Sequence, residues 1–340
     1  MTVSPIKFRL AAMIFFVAAL SWSCSDLEQD VPYSADVDEI MSIPEVLVEM
    51  ENGLDDGQDV NARRNARATY STFNAALGSS GLASVFARNE LTVFAPTDAA
   101  FAALGLNPGN VRRQANLKEI LLYHVVAGTV LSTDLSNGFV PTVNGAAVEI
   151  NLDGGATVKG ASNETGSNIV MTDKRARNGV IHGIDQVLLP PTQNIVEIAA
   201  GNPDFSILVD AVVAADLVEL LANTNNITVF APTNQAFEDL ITDLNPLGIN
   251  NLEDLLGFLG KEGLQKVLGY HVFAGGRVFS SDLSDMKIEM LSGDEVTIDT
   301  SGPSLIDFND REAGIDATDI QATNGVIHVI NKVILPDLGL

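Results

Sequence analysis

The chain has four histidines, and they fall into two matched pairs. His124 and His271 each follow a tyrosine, Tyr123 and Tyr270. His182 and His328 each close the run Asn-Gly-Val-Ile-His, at 178–182 and 324–328. Serine and threonine hydroxyls recur at matching positions as well, at Thr97 and Thr233 and at Ser71 and Ser206, and Asp98 and Asp185 lie in or beside the same blocks. A hydroxyl, an imidazole and a carboxylate are the parts of a nucleophilic relay acting on an ester or glycan. Paired imidazoles are also the commonest metal ligands. The pairing supplies its own control, because a working relay should survive in both copies. Asp98 is matched by Asn234 and Asp185 by Asn331, and an amide cannot serve as a carboxylate. Hydrogen-bonding capacity is what both copies keep. The pattern therefore predicts structural roles for Thr97, His182, Thr233 and His328, no catalytic residue, no metal and no cofactor. A hydrolase built on a repeat histidine with Ser or Thr is the alternative. A calcium-dependent assembly module is a second one, since Asp55-Asp56-Gly57-Gln58-Asp59 and Asp307-Phe308-Asn309-Asp310 are oxygen-rich. Neither loop has the EF-hand pattern, and both read as solvated turns.

These residues sit in a larger duplication. Thr92-Val93-Phe94-Ala95-Pro96-Thr97-Asp98 returns as Thr228-Val229-Phe230-Ala231-Pro232-Thr233-Asn234. The Tyr-His and Asn-Gly-Val-Ile-His blocks follow in the same order, with offsets of 136, 147 and 146 residues. Solenoid repeats run to roughly 20–50 residues, whereas this period is long enough for a domain with its own core. The chain of 340 residues therefore reads as two copies of one fold.

The elements that position the blocks are clearer in the second copy. Thr192 is placed to cap a short helix ending at Gly201, and Pro203-Asp204 opens another whose apolar face is Phe205, Leu208, Val209 and Val212. Ile227–Phe230 reads as a strand, Thr233 as the cap of a helix bearing Phe237, Leu240 and Ile241, and 252–268 as a helix interrupted by glycines. His271 is expected in a strand ended by Gly275-Gly276. The rest alternates as strands, with Asn324-Gly325 the signature of a tight type I′ hairpin turn and Val326–Leu335 a long apolar strand. The first copy repeats the order, with Asn144-Gly145 and Asn178-Gly179 at its hairpins. Helices first and hairpins after predict an α+β domain with helices packed on an antiparallel sheet or sandwich. Pro190-Pro191-Thr192-Gln193 is a linker short and stiff enough to limit the angle between the copies.

Composition narrows the partners. The net charge is −25, carried unevenly: 11 Lys+Arg against 17 Asp+Glu over 37–190, a net of −6, and 6 against 23 over 191–340, a net of −17. Such a surface repels nucleic acid. Arg63, Arg64 and Arg67, with Arg112, Arg113, Lys174, Arg175 and Arg177, make the first copy locally basic, and this polarity allows homotypic head-to-tail contact. The single cysteine, Cys24, excludes disulfides within either copy. It follows Lys7, Arg9 and an apolar run from Leu10 to Leu20, about half the length of a membrane-spanning helix. Residues 1–23 read as a signal peptide similar to those of bacterial lipoproteins, with Cys24 as the acylated first residue, although Ser21 and Trp22 depart from the usual lipobox. The acidic stretch 24–36 reads as a tether. The expected location is the cell envelope, lipid-anchored at the outer membrane and open to surface exposure.

The three ordered and doubled blocks resemble the fasciclin I (FAS1) domain over roughly residues 60–190 and 194–337, with the first and second domains bounded at 37–190 and 194–337. That resemblance implies two tandem FAS1 domains, each a β-sandwich wedge with helices packed at one side. It also implies non-enzymatic adhesion or binding to extracellular protein or glycan, with no common cofactor. In some animal members the Tyr-His region contacts integrins, which makes Tyr123, His124, Tyr270 and His271 the candidate binding residues. The Asp-Ile step used there is replaced by Asp185-Gln186-Val187 and Lys332-Val333-Ile334, which speaks against integrin as the partner.

Overall fold

The structure, a computed structural model, describes residues 41–52 and 69–338. The signal peptide, Cys24, the tether, the Asp55–Asp59 loop and Arg63, Arg64 and Arg67 lie outside the described residues.

The first copy runs α1 (Ile43–Asn52), α2 (Ser71–Ser80), α3 (Ala83–Arg88), β1 (Leu91–Pro96), α4 (Asp98–Ala103), α5 (Leu117–Tyr123), then β2 (Val125–Ala127), β3 (Gly138–Pro141), β4 (Ala147–Asn151), β5 (Thr157–Lys159), β6 (Ser167–Ala176) and β7 (Gly179–Ile184). The second runs α6 (Ile195–Gly201), α7 (Ser206–Ala214), α8 (Val218–Asn223), β8 (Ile227–Pro232), α9 (Asn234–Leu244), α10 (Leu252–Gly269), β9 (Val272–Phe273), β10 (Met286–Glu289), β11 (Glu295–Asp299), β12 (Ser304–Ile306), β13 (Glu312–Gln321) and β14 (Gly325–Ile330). Each copy makes a seven-stranded sheet, in the orders β2-β1-β7-β6-β5-β4-β3 and β10-β11-β12-β13-β14-β8-β9. All pairings are antiparallel except β1 with β7 and β8 with β14, which run parallel and are joined by long connections containing two α-helices and five strands in each copy.

That parallel pair is the centre of each copy. Every residue of β1, β7 and β8 is buried, as expected for strands covered on both faces. One face carries the helices, through Val93, Ala95 and Ile181 packed with Leu47, Phe73, Phe86 and Phe101. The other carries Phe94, Tyr123 and Ile184 packed with Val148, Ile150 and Val158. Strands β4 and β5 are not neighbours of β1 in the sheet, so their sharing a core with it requires the sheet to fold over on itself. The register shifts in β6 and β13 supply the bend. The result is a sandwich wedge with helices on one side.

Some local expectations differ from what is observed. Asn194, not Thr192, caps α6, with Glu197 returning a bond to complete a capping box. The last apolar strand ends at Ile330, and Val333 and Ile334 are buried from an irregular segment. His271 sits just before its strand, and Gly260 at φ 62° kinks α10. Asn178 and Asn324 do not adopt the positive φ that a type I′ turn demands of both central residues.

The two copies meet along β3, β4 and the end of β13. Phe139 stacks on Phe279, ring centroids 4.3 Å apart at 9°. Ala147, Phe279 and Val326 form a small shared core with Phe139. The linker is tied down by the Thr323 N–H, which donates to the Gln193 carbonyl.

Candidate functional site

The repeated blocks converge around each parallel strand pair. The Tyr-His residues come off the end of α5 or α10 and lie in the core; Tyr123 and His124 have no exposed surface, Tyr270 none and His271 2%. Tyr123 Oη donates to the Ala147 carbonyl at 2.5 Å and accepts from the Ala161 N–H at 2.8 Å. Tyr270 Oη donates to the Glu295 carbonyl at 2.7 Å. Burial pushes both phenols up, Tyr270 to about 12. The rings therefore tie the helical end of each domain to its far hairpin and present no surface to a partner.

The adjoining imidazoles are used in the same way. His124 Nδ1 donates to the Ile120 carbonyl at 2.7 Å, and Nε2 accepts from the Leu188 N–H at 2.9 Å. His271 repeats both bonds with Val267 at 2.8 Å and Ile334 at 3.1 Å. Burial drives both rings down to about 4, only partly opposed by the bonds to Ile120 and Val267. Neutral at ordinary pH, with both nitrogens engaged, neither has a lone pair free to take a proton from a nucleophile.

The second histidine pair lies over the box phenylalanines, His182 on Phe94 at 5.6 Å and His328 on Phe230 at 5.5 Å. His182 Nε2 donates to the Val130 carbonyl at 2.9 Å, and its Nδ1 accepts from the Asp173 N–H at 3.3 Å. His328 Nε2 donates to the Val278 carbonyl at 2.8 Å, while its buried Nδ1 has no partner. Burial lowers the His328 pKa.

Beside these rings lies a feature missed in the sequence. Ser132 donates its hydroxyl to Asp173, and Ser280 donates to Asp319. Both aspartates hold positive φ, 57° and 64°. Serine, aspartate and histidine thus come together in both copies, but in an order that does not make a relay. Each serine proton goes to a carboxylate rather than an imidazole, and it is the backbone N–H of Asp173, not its carboxylate, that meets His182. The group holds the loop after β2 or β9 against the bend in β6 or β13. A fourth repeated block marks it, Val130-Leu131-Ser132-Thr133-Asp134-Leu135 against Val278-Phe279-Ser280-Ser281-Asp282-Leu283.

Each Asp-to-Asn exchange keeps one bond from a backbone N–H. Asp98 accepts from the hydroxyls of Thr69 and Ser71 and from the N–H groups of Ser71 and Thr72, at 2.5 to 3.2 Å. Burial would raise its pKa, and these donors outweigh that and hold the carboxyl below its ordinary range. Asn234 accepts from the Ile207 N–H at 2.9 Å and donates to the Pro203 carbonyl and to Ser206. Asp185 accepts from the Asn168 N–H at 2.8 Å, and Asn331 from the Gly314 N–H at 2.9 Å. Thr97 and Thr233 cap α4 and α9 through the Ala100 and Ala236 N–H groups. Ser71 and Ser206 each bond the residue at the Asp98 or Asn234 position and lie away from any imidazole partner.

The Asn-Gly box is a clamp. Asn178 accepts from the Ile43 N–H at 3.0 Å and donates to the Phe86 carbonyl at 2.7 Å. Asn324 accepts from the Ile195 N–H at 3.0 Å and donates to the carbonyls of Leu221 at 2.7 Å and Thr224 at 2.9 Å. One side chain thus starts the first helix of its copy and ends the third. Asp307, in the oxygen-rich loop, is likewise committed to protein donors: the Asn309, Arg311 and Leu335 N–H groups and the Arg311 guanidinium at 2.6 Å. Among the described residues no group of three or more His, Cys, Asp or Glu is placed to hold a metal.

Comparison with known proteins follows the same lines. A sequence model described as the Fasciclin domain matches twice, over residues 68–190 and 203–336. Transforming growth factor-beta-induced protein ig-h3 of Sus scrofa is 34% identical over 258 residues, 75% of this chain and 35% of that protein. Periostin of Homo sapiens is 31% identical over 260 residues, 74% of this chain and 29% of that one. Protein sll1483 of Synechocystis sp. is 39% identical over 155 residues, 46% of this chain and 80% of that one. The chain spans about a third of the length of the animal relatives. A solved FAS1 domain pair from the insect cell adhesion molecule fasciclin I aligns at 21% identity and a TM-score of 0.37, covering 78% of this chain and 95% of that one.

Proposed function

The chain belongs to the fasciclin domain family, and from that premise we propose that it is a non-enzymatic cell-surface protein presenting two FAS1 domains to extracellular protein or glycan partners from a lipid anchor at Cys24. Adhesion and extracellular-matrix binding are the typical work of fasciclin-domain proteins, which supports this reading. The observation that carries the non-enzymatic reading is the state of the box imidazoles. Three of the four have both ring nitrogens bonded within the fold, and all four donate to a backbone carbonyl. Their chemistry is spent on holding loops in place, which leaves the outer surface of each wedge as the part that binds.

Among the described residues no helix is long and apolar enough to cross a membrane; the attachment this reading assigns is the acyl group on Cys24. The acidic second domain favours basic partner surfaces, and the more basic first domain allows contact with a second copy. The test is to apply the full chain to an array of extracellular-matrix proteins and glycans, with the His182→Gln/His328→Gln variant beside it. The reading expects saturable binding to a partner class, unchanged by the variant under conditions where it stays folded. Turnover of an ester or glycan substrate that the variant abolishes would overturn it. Membrane association of the Cys24→Ala chain equal to that of the wild type would remove the anchor.

A further inference from the structure

The second domain contains an apolar pocket of about 270 Å³ between α6, α7, α8 and β8, with no polar surface in its lining. The two copies say how it arises, because hydrogen bonds repeated in both fix which residues correspond. The Asn clamp equates Ile43 with Ile195 and Phe86 with Leu221. The bonds from Asp98 and Asn234 equate Thr72 with Ile207. In these registers Leu47, Phe73, Leu77 and Phe86 of the first domain become Ala199, Leu208, Val212 and Leu221. All four first-domain side chains are buried at 3% exposure or less. All four replacements are smaller, and all four line the pocket.

The mouth differs too. Helix α1 has ten residues and α6 seven, so the covering helix ends earlier in the second domain. In the first domain Asn74, two positions after Thr72, donates to the Leu47 carbonyl and to Glu51, latching α1 onto α2. Its counterpart Val209 has no such bond to make and lines the pocket instead, beside Val213, which is 56% exposed. Where the first domain packs its own side chains, the second leaves room and an opening.

We propose that this pocket is a binding site for a single uncharged hydrocarbon chain. Its volume is nearly twice that of an engineered apolar cavity of about 150 Å³ that stays dry and takes up benzene. With no polar surface exposed in the wall, a polar ligand group inside would lose its water without replacement, so only hydrocarbon enters and any head group stays at the mouth. The only polar residue in the lining, His271, has both nitrogens bonded elsewhere. The helices around the opening carry Glu197, Asp210 and Glu219 and no Lys or Arg, which disfavours a carboxylate head group there. The site is independent of the adhesive reading above.

The experiment uses the full chain and the uncharged fluorophore N-phenyl-1-naphthylamine, with 1-octanol and octanoate as competitors. Saturable fluorescence enhancement is expected, displaced by 1-octanol at a concentration at least tenfold below that of octanoate. Ala199→Leu/Leu221→Phe restores the first-domain side chains and is expected to weaken the probe's affinity at least tenfold while holding or raising Tm. Ala199→Leu alone should weaken it severalfold and serves if the double variant fails to fold. Affinity unchanged in the filled variants, or octanoate competing as well as octanol, overturns the proposal. So does a wild-type chain that takes up no probe because a second copy or its own amino-terminal apolar run occupies the pocket.

Discussion

Gln321 of the second domain and the backbone of Ala147 in the first are joined by two hydrogen bonds of 2.9 Å, the side-chain amide donating to the carbonyl and accepting from the N–H. The same Ala147 carbonyl also accepts from Tyr123 Oη. A box residue of one domain and an interface residue of the other thus share one acceptor, and the packing of the first core is continuous with the contact between domains.

That continuity predicts coupled unfolding. Gln321→Ala should cost about 1–2 kcal/mol, since it leaves the Ala147 N–H without its partner. Phe279→Ala removes the stack on Phe139 and most of the shared apolar core, and should cost about 3 kcal/mol. Calorimetry of the double variant is expected to resolve two transitions where the wild type shows one. A single transition at the wild-type temperature would show that the domains do not stabilise each other.

The Tyr-His histidines predict a pH dependence with a defined window. Their folded pKa values, about 4, lie below the ordinary 6.5. The unfolded chain therefore binds more protons than the folded one between those values, and stability falls as pH drops. It is fully present above about pH 6.5 and shrinks by about 3 kcal/mol for each histidine by pH 4. Asp98 and Asp173, whose pKa values are lowered, extend the loss below their ordinary 3.8. Urea titrations at pH 7 and 4.5 measure this, and a flat profile across that range would mean that the rings are already solvated.

How far the sequence carried depends on which interactions repeat within it. The doubled blocks and their order conveyed the two-domain α+β architecture, and the Asp-to-Asn exchanges anticipated bonds that survive the loss of charge. Asn324-Gly325 was legible as important but not for its reason. Turn propensity describes a local backbone, whereas Asn324 is held by Ile195, Leu221 and Thr224, about 100 residues or more away in sequence. The parallel pairing of β1 with β7 is non-local in the same way and leaves no period-2 signature. The contact of Gln321 with Ala147 occurs once per chain, so the repeat carries no trace of it. The Ser132–Asp173 and Ser280–Asp319 bonds did have a signal, in the Val130–Leu135 and Val278–Leu283 block, but it is too short and varied to stand out beside the longer ones.

The clamp predicts a steep penalty at two adjoining positions. Asn324→Ala leaves the Ile195 N–H and the Leu221 and Thr224 carbonyls unpaired in a buried setting, for a loss of about 3 kcal/mol or more. Gly325→Ala would drive a methyl into the Ile227 carbonyl oxygen of the paired strand, and Gly179→Ala, at φ 144°, into that of Leu91. Backbone cannot give way as a side-chain tip can, so both glycine variants are expected to express poorly or to melt well below the wild type. Asn178→Asp is a milder probe: it keeps the acceptor for Ile43 but loses the donor to Phe86 and Asn89. Melting temperatures that rank Asn178→Asp at or below the glycine variants would contradict the clamp.

Asp307 separates a calcium loop from a structural turn. Its carboxylate has no exposed surface and faces Arg311, which is 31% exposed and also donates to the Val333 carbonyl. One oxygen takes the Asn309 and Arg311 N–H groups, and the other takes the guanidinium and the Leu335 N–H. A cation there would have to displace a fixed guanidinium, so calcium or chelator should leave Tm unmoved. Asp307→Ala should instead cost about 3–5 kcal/mol, because it leaves a partly buried Arg311 and three N–H groups without their acceptor. Asp307→Asn should recover part of that loss by keeping one acceptor, and recovery that depended on added calcium would reassign the loop as a metal site.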